Sequence, residues 1–339
     1  MSRERNKPPT ILDVAQRAGV SKSVVSRALL GQRAVREEVR LQVLTAAEEL
    51  GYVANAMARG LVSRRTRTLG VVLHDVTDPF AGYLHEAMQE HASECGYSMV
   101  VATSPGDLTL DNAVTALSTL VSLQVEGLLI CSARFPSERV LPFVGRLPVI
   151  AAGRNEPEIP SVCVDDRDGG EKIADHIIAL GHRHAGVILI DGTYSYSQNL
   201  RGLAMINRLR SAGVTVTVRE AKSNVDALSA IPDLLTIPGL SALLCPNDRT
   251  QLAVLELCRE RNIGVPEQLS VTGFDGIGPL ATPLLGLTTL RQPIEQMGRS
   301  CVDLMISAVE DDEPGNDQHV LLQGTLVVGQ TAGPPRHER

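Results

Sequence analysis

Apolar residues in the first 50 positions recur at helical spacing in three short runs. Gly19 ends the first run, Ser21 is a favoured N-cap for the second, and Gly31 stops it. The predicted buried positions are Ile11, Val14, Ala15 and Ala18, then Val24, Val25, Ala28 and Leu29, then Val39, Val43, Leu44, Ala47 and Leu50. Two short helices joined by a glycine-containing turn, with a third helix behind them, predict a helix-turn-helix.

From Leu69 the pattern changes to short apolar runs alternating with amphipathic segments. The runs at 69–73, 98–102, 127–132 and 147–153 are typical of buried strands, with helices between the first three. The alternation restarts at Asp168 and continues to about residue 274. It predicts an α/β body of two doubly wound parallel sheets, hence two lobes with a cleft between them.

Charge divides the chain in the same place. Residues 1–68 carry 13 Lys and Arg against 6 Asp and Glu, whereas the rest carries 19 against 33. A basic head on an acidic body favours a nucleic-acid-binding module joined to a separate domain. Aromatic residues are only 3% of the chain and Trp is absent, which argues against an aromatic platform for single-stranded RNA.

Neither a membrane span nor a secretory signal is predicted, so we expect a cytoplasmic, nucleoid-associated protein. The six cysteines include no two within three residues of each other, so we expect reduced, buried thiols and no metal site. GxSxG, Walker A and HExxH motifs are absent, and we expect neither an enzyme nor a cofactor. His182 and His184, before a strand, are interpreted as exposed turn residues.

One long motif runs from Thr10 to Arg27 as T-I-x-D-V-A-x-x-A-G-V-S-x-x-x-V-S-R, and continues through 48–52 and 55–59. It closely resembles the N-terminal headpiece of the lactose-repressor (LacI/GalR) family of bacterial transcription regulators. The resemblance extends to about residue 331. It implies a helix-turn-helix headpiece over 1–52, a hinge helix and linker over 53–68, and an effector-binding, dimerising body over 69–339.

Within that body, the resemblance implies a periplasmic-binding-protein-like architecture. Its N-lobe covers about 69–164 and 293–322, and its C-lobe covers about 166–291 and 323–331. The chain is expected to cross between the lobes near Asp165, Gln292 and Gly324. The C-terminus has no heptad repeat, so we expect a homodimer and not a coiled-coil-tethered tetramer.

The second helix of a helix-turn-helix enters the major groove of DNA. Lys22, Ser23, Ser26 and Arg27 face outward on that helix and can donate to bases or phosphates. The resemblance adds Thr10, Asn55, Ala58 and Leu61, with Leu61 as a wedge in the minor groove. The predicted partner is a pseudo-palindromic double-stranded operator.

The resemblance also implies an effector pocket between the lobes. Its expected residues are Asp75, Phe80, Ser132, Tyr194, Tyr196, Arg201, Asn247 and Asp275. Carboxylate, amide and guanidinium groups together suit vicinal hydroxyls, so we expect a sugar or a related metabolite. A family aspartate that often binds sugar is Gly153 in this chain, and a family aromatic is replaced near Ser223.

The leading prediction is a sequence-specific transcriptional regulator, expected to be a repressor, under small-molecule control. Two alternatives within the family stay open: control by a protein corepressor, and no effector at all. A solute-binding protein is a further alternative, opposed by the basic head.

Overall fold

The computed structural model describes residues 9–29, 35–52, 65–73, 78–103, 110–131, 137–156, 158–310 and 318–336. The chain divides into two compact units, Met1–Thr66 and Arg67–Arg339. We call the first the head and the second the body. None of the helices among the described residues is long and apolar enough to cross a bilayer.

The head contains three helices, α1 (Ile11–Arg17), α2 (Lys22–Leu29) and α3 (Glu37–Leu50). Val14, Val25 and Val43, one from each helix, are fully buried at its centre. The Ser21 hydroxyl accepts a hydrogen bond from the Val24 N–H at 3.4 Å, as an N-cap of α2 does. The helix-turn-helix prediction is therefore confirmed, because the predicted helical faces pack together as one core.

The body contains two six-stranded sheets. The first has the order β11-β5-β4-β3-β1-β2, and all of its neighbouring strands run parallel. We call this sheet with its helices the N-lobe. Its elements are β1 (Thr68–Leu73), α4 (Pro79–Glu94), β2 (Ser98–Thr103), α5 (Leu110–Ser122), β3 (Gly127–Cys131), α6 (Ser137–Val144), β4 (Val149–Ala152), β5 (Ser161–Val164), α11 (Ile294–Glu310) and β11 (His319–Leu322).

The second sheet has the order β12-β10-β9-β8-β6-β7, and with its helices it forms the C-lobe. Its elements are α7 (Asp166–Ala179), β6 (His184–Ile190), α8 (Tyr196–Ser211), β7 (Thr215–Ala221), α9 (Asn224–Leu234), β8 (Ala242–Leu244), α10 (Asp248–Glu260), β9 (Ser270–Asp275), β10 (Thr288–Arg291) and β12 (Thr325–Val327). The edge strand β12 pairs antiparallel with β10, whereas the sequence predicts a purely parallel sheet. The predicted α/β architecture is otherwise confirmed.

The chain passes between the sheets three times, at 164–166, 291–294 and 322–325. At the first passage the Asp165 N–H donates to the Leu322 carbonyl at 2.8 Å, so the first and third passages lie side by side. At the third, the Lys172 ammonium donates to the Gly324 carbonyl at 3.0 Å. The first bond joins two passages, and the second joins a C-lobe helix to one of them. A ligand beside these passages has both lobes within reach.

The interpretation of His182 as an exposed turn residue is wrong. Its side chain is buried, with Nδ1 2.8 Å from the Ser241 hydroxyl and Nε2 3.0 Å from the Gly333 carbonyl. The C-terminal segment folds back over this turn, and a sequence motif of six residues cannot show that. Burial lowers the pKa of the His182 imidazole, which favours its neutral form.

Candidate functional site

The exposed face of α2 is the candidate DNA-binding surface of the head. Lys22, Ser23 and Arg27 are exposed there, and Ser26 is half-buried. The Arg27 Nε donates to the Ser23 carbonyl at 3.2 Å. This hydrogen bond holds the Arg27 side chain alongside the helix. The predicted contact residue Thr10 precedes α1, and its hydroxyl donates to the Asp13 carboxylate at 2.6 Å.

A cavity of about 350 Å³ opens between the lobes of the body. We call it the interlobe cavity. From the N-lobe it is lined by Asp78, Pro79, Phe80, Ala81, Cys131, Ala152 and Gly153; from the C-lobe it is lined by Tyr194, Ser195, Ser197, Gln198, Arg201, Asn224, Val225, Leu228, Asn247, Arg249, Thr250, Asp275, Ile277 and Leu280. Gln292, on the second passage between the sheets, completes this set. The cavity lies beyond the carboxyl ends of the strands, where open α/β sheets bind ligands.

Arg201 is the buried cation of the cavity floor. Its Nε and Nη2 lie 2.8 Å from the Asp166 carboxylate, and its Nη1 donates to the Pro246 carbonyl at 3.2 Å. The guanidinium also stacks 3.6 Å from the centroid of the Phe274 ring. Burial raises the pKa of Asp166, and the Arg201 charge opposes that rise. Arg201 is therefore held mainly by groups of the C-lobe, although it also lines the cavity.

Glycine makes the Arg201–Asp166 pair possible. A side-chain carbon at Gly170 on α7 would collide with the backbone carbonyl of Arg201 on α8. Because Gly170 has none, the two helices approach closely and the Asp166 carboxylate reaches the guanidinium. The neighbouring Gly169 likewise leaves room for Phe274.

Asp248, at the start of α10, is not among the described residues that line the cavity. It is fully buried, accepting from the Gly276 N–H at 2.7 Å and from the Thr289 hydroxyl at 2.5 Å. Burial raises the pKa of Asp248 to about 6, and those two hydrogen bonds act against the rise. The carboxylate thereby holds the turn after β9 in place, next to Asp275.

Asp275 and Gln292 connect the cavity to a passage between the lobes. The Gln292 Nε2 donates to the Asp275 carboxylate at 2.8 Å, and Arg201 Nη1 lies 3.5 Å from the same oxygen. Burial raises the pKa of Asp275 well above its usual range, and Arg201 again opposes. A ligand that binds the Asp275 carboxylate competes with, or adds to, the hydrogen bond that Gln292 makes from the second passage between the sheets.

Phe80 occupies the space beside Gly153. A side-chain carbon at Gly153 would lie 2.7 Å from the Phe80 ring, and Gly153 also has a φ of +82°. The carboxylate that the resembled family often places here is thus replaced by an aromatic wall. Apart from Asp78, the N-lobe side of the cavity is largely apolar, and most polar groups of the cavity belong to the C-lobe.

Five of the predicted effector residues, Phe80, Tyr194, Arg201, Asn247 and Asp275, line the cavity. Asn247 also caps α10, since its side chain accepts from the Thr250 N–H at 2.8 Å. Tyr196 instead begins α8, is 54% exposed, and is not among the described lining residues. Asp75 and Ser132, and the predicted DNA contacts Asn55, Ala58 and Leu61, lie outside the described residues.

Sequence reasoning missed Gln198, Asn224, Arg249 and Gln292, which also line the cavity. The Asn247 amide lies 3.4 Å from both the Gln198 and the Asn224 side-chain oxygens. A signal was available for Asn224, because Ser223 is an N-cap residue type that comes five residues after the apolar-alternating run at 214–218. For Gln198 and Gln292 no local pattern separates a cavity residue from a surface one.

Comparisons with known proteins match two separate segments of the chain to family models. Residues 10–55 match the family model described as bacterial regulatory proteins, lacI family, and residues 174–332 match a periplasmic binding protein-like domain. The chain therefore combines a LacI-family DNA-binding domain with a periplasmic binding protein-like domain.

Two curated relatives span nearly the same length as this chain. It is 29% identical to the HTH-type transcriptional regulator DegA of Bacillus subtilis over 302 residues, 85% of this chain and 88% of DegA. It is 26% identical to the HTH-type transcriptional repressor CytR of Escherichia coli over 336 residues, 96% and 97% of the two chains. These relatives are transcriptional regulators and not enzymes. This chain is likewise a transcriptional regulator.

The fold agrees with that of a solved Lac repressor structure. A Lac repressor dimer bound to operator and the anti-inducer ONPF superposes with a TM-score of 0.83 at 24% identity, covering 96% of this chain and all of that one. At this level of identity the likeness establishes the fold. What the cavity and the helix-turn-helix of this chain bind follows from their own residues.

Proposed function

We propose that this LacI-family regulator binds a pseudo-palindromic operator as a homodimer, and that a small molecule in the interlobe cavity changes its operator affinity. A transcriptional regulator acts on chromosomal DNA, so we propose that the protein works in the cytoplasm, at the nucleoid. Repression is the proposed sign, as in the relative CytR. The cavity supplies the observation that carries the proposal. It is lined by both lobes, and Gln292, on the second passage between the sheets, is hydrogen-bonded to Asp275 within it.

DNA recognition is assigned to the exposed face of α2. Lys22 and Arg27 are cationic donors on that face, and Ser23 lies between them as a short neutral donor. Arginine and lysine pair with guanine O6 and N7 or with phosphate, and serine serves either target. This set suits direct readout of a few bases anchored by backbone contacts.

Effector control follows from the position of the cavity between the lobes. A ligand that contacts both sides favours whichever lobe arrangement completes its contacts. Closure of two lobes about their connecting strands is a common switching motion. The ligand's differential affinity for the two arrangements then becomes a change in operator affinity.

The cavity chemistry favours a small polyhydroxylated ligand with one apolar face. Gln198, Asn224 and Asn247 offer amide donors and acceptors, and Asp275 offers a carboxylate, all from the C-lobe. Phe80 and Leu280 supply apolar surface. Vicinal hydroxyls need such a mixture of donors and acceptors, and a sugar ring face packs on an aromatic wall. The volume of about 350 Å³ fits a molecule of this size.

The test measures operator affinity of the full chain by fluorescence anisotropy, using a duplex selected from a random pool. Aldohexoses, pentoses, disaccharides and nucleosides are added one at a time. We expect one compound to change the dissociation constant at least about fivefold, which is typical of coupling between sites. Gln198→Ala and Asn224→Ala should abolish that response while operator binding without ligand is retained.

Arg208→Ala is the matched control. Arg208 lies on α8 like Gln198, but it pairs with Asp175 and is not among the described lining residues. Its response to ligand should equal that of the unaltered chain. Operator binding that no compound alters would reject small-molecule control and favour a protein corepressor or an effector-free regulator.

A further inference from the structure

Two helices of the N-lobe bring together three side chains of metal-binding type, away from the interlobe cavity. His91 and Cys95 lie at the end of α4, and Asp303 lies on α11, which packs along α4. The His91 Nε2 is 2.7 Å from the Asp303 carboxylate and 3.9 Å from the Cys95 sulfur. All three potential ligand atoms lie within 4.8 Å of one another.

The second nitrogen of His91 has the surroundings of a metal-bound histidine. Its Nδ1 lies 3.0 Å from the Glu94 carboxylate, which Arg299 Nη1 contacts at 3.0 Å. Arg299 Nη1 is also 3.0 Å from Nδ1 itself. The site needs the tautomer in which Nδ1–H donates to Glu94 and Arg299 donates to that carboxylate and not to Nδ1. The lone pair of Nε2 then points toward Asp303 and Cys95. Metal-ligating histidines commonly hold their other N–H against a carboxylate in this way.

Access and shielding also suit a bound cation. The His91 side chain is 14% exposed and Cys95 is half-buried, whereas the Asp303 side chain is 67% exposed. A cation can therefore arrive from solvent on the Asp303 side and reach two shielded ligands. A zinc ion among these atoms, about 2.0–2.3 Å from each, requires the exposed Asp303 side chain to move back from its 2.7 Å contact with Nε2.

We propose that His91, Cys95 and Asp303 bind a divalent transition-metal cation of the zinc class, with Glu94 orienting the imidazole. One nitrogen, one sulfur and one oxygen ligand suit zinc, whereas calcium and magnesium prefer oxygen ligands alone. Three protein ligands leave a fourth tetrahedral position for water. Binding takes the Nε2 lone pair, the thiolate and the carboxylate, and it releases the imidazolium and thiol protons to solvent.

The consequence of the site is a cross-link between α4 and α11. Helix α4 carries Phe80 in its first turn and His91 in its last, so one rigid element joins the cavity wall to the cation. The 16-residue helix is about 24 Å long, so the cation does not touch the cavity. Sequence spacing does not predict the site, because Asp303 lies 212 residues after His91.

The test uses the untagged full chain, stripped with chelator and titrated with Co²⁺ and then Zn²⁺. We expect one cation per chain by equilibrium dialysis and a thiolate-to-cobalt charge-transfer absorption. Cys95→Ser should abolish that absorption, and Cys95→Ser, His91→Gln and Asp303→Asn should each weaken zinc binding about tenfold or more. Circular dichroism of each variant shows whether it has folded.

Glu90→Gln is the control, since Glu90 is exposed on the same helix and is outside the three-residue cluster. It should bind both cations as the unaltered chain does. Zinc should also raise the thermal midpoint of the unaltered chain and of Glu90→Gln, but not that of Cys95→Ser. A cobalt spectrum that survives Cys95→Ser, or a folded chain that binds no stoichiometric zinc, would overturn the proposal.

Discussion

Gln292 donates its side-chain amide to the Asp275 carboxylate at 2.8 Å, and its backbone N–H donates to the Asp275 carbonyl at 2.9 Å. Gln292 is 3% exposed and lies on the second passage between the sheets. One residue therefore both lines the cavity and lies on a segment that connects the lobes. We expect the pair to link ligand binding in the cavity to the arrangement of the lobes.

Replacing Gln292 should weaken both the fold and the signal. Gln292→Ala leaves the half-buried Asp275 carboxylate without its amide donor, which should lower the free energy of unfolding by about 1–3 kcal/mol. The change in operator affinity on adding ligand should shrink in the same variant. Denaturant unfolding followed by circular dichroism, with anisotropy on operator, measures the two effects. Gln330→Ala, at an exposed position, is the control. An unchanged ligand response in folded Gln292→Ala would refute the coupling.

Arg201 should be a stability residue before it is a ligand contact. Arg201→Met leaves the buried Asp166 carboxylate without its charge partner, which should cost about 3–5 kcal/mol of unfolding free energy. Arg208→Met, on the same helix, breaks the exposed pair with Asp175 and should cost less than about 1 kcal/mol. Comparable losses in the two variants, measured in urea, would show that the Arg201 pair is not buried as described.

Asp248 should make the stability of the body depend on pH. Burial raises the pKa of its carboxyl to about 6, above the ordinary value near 4, so the folded state holds this proton more tightly than the unfolded state. Its contribution to stability is therefore fully present below about pH 4 and falls as pH rises toward about 6. Burial also raises the pKa of Asp166 and Asp275, with the same sign.

Comparing Asp248→Asn with the unaltered chain isolates the pH-dependent contribution of Asp248 to the free energy of unfolding. The variant should lose less unfolding free energy between about pH 4 and 6, by up to about 3 kcal/mol. Asp175→Asn, at an ion-paired site whose side chain is 52% exposed, should follow the unaltered chain. Identical pH profiles for Asp248→Asn and the unaltered chain would contradict a raised pKa at this position.

Gly153 should tolerate no side chain. Gly153→Ala places a carbon against the Phe80 ring on backbone with a φ of +82°, so stability should fall by more than about 1 kcal/mol. Gly145→Ala is the matched control, because nothing lies within 4 Å of the added carbon there. Thermal unfolding by circular dichroism compares the two. Equal midpoints would mean that Phe80 does not fill the space beside Gly153.

The fold could be predicted further than the site. The head follows from apolar spacing at Val14, Val25 and Val43, because each short helix buries one face. Ile294, Met297, Cys301 and Met305 carry the same signal for α11, which the sequence analysis did not assign. Strands β11 and β12 are four and three residues long and half exposed, too short for alternation to identify.

The cavity depends on contacts that no local pattern contains. Arg201 meets Asp166 across 35 residues, and Gln292 meets Asp275 across 17. Resemblance to the family locates Arg201 and Asp275 but says nothing of their partners. The replacement of a family carboxylate by Gly153 can be read from sequence, whereas the Phe80 ring that fills its place requires the three-dimensional packing.

Selection of bound duplexes from a randomised pool, by the full chain at fixed physiological salt, tests most directly that this is a sequence-specific regulator. We predict a palindromic consensus, as two copies of the head on two half-sites require. Arg27→Ala should relax one base position or reduce the salt slope by about one, whereas Arg40→Ala on α3 should keep the consensus. Bound sequences without any consensus, held only by salt-sensitive contacts, would contradict sequence-specific regulation.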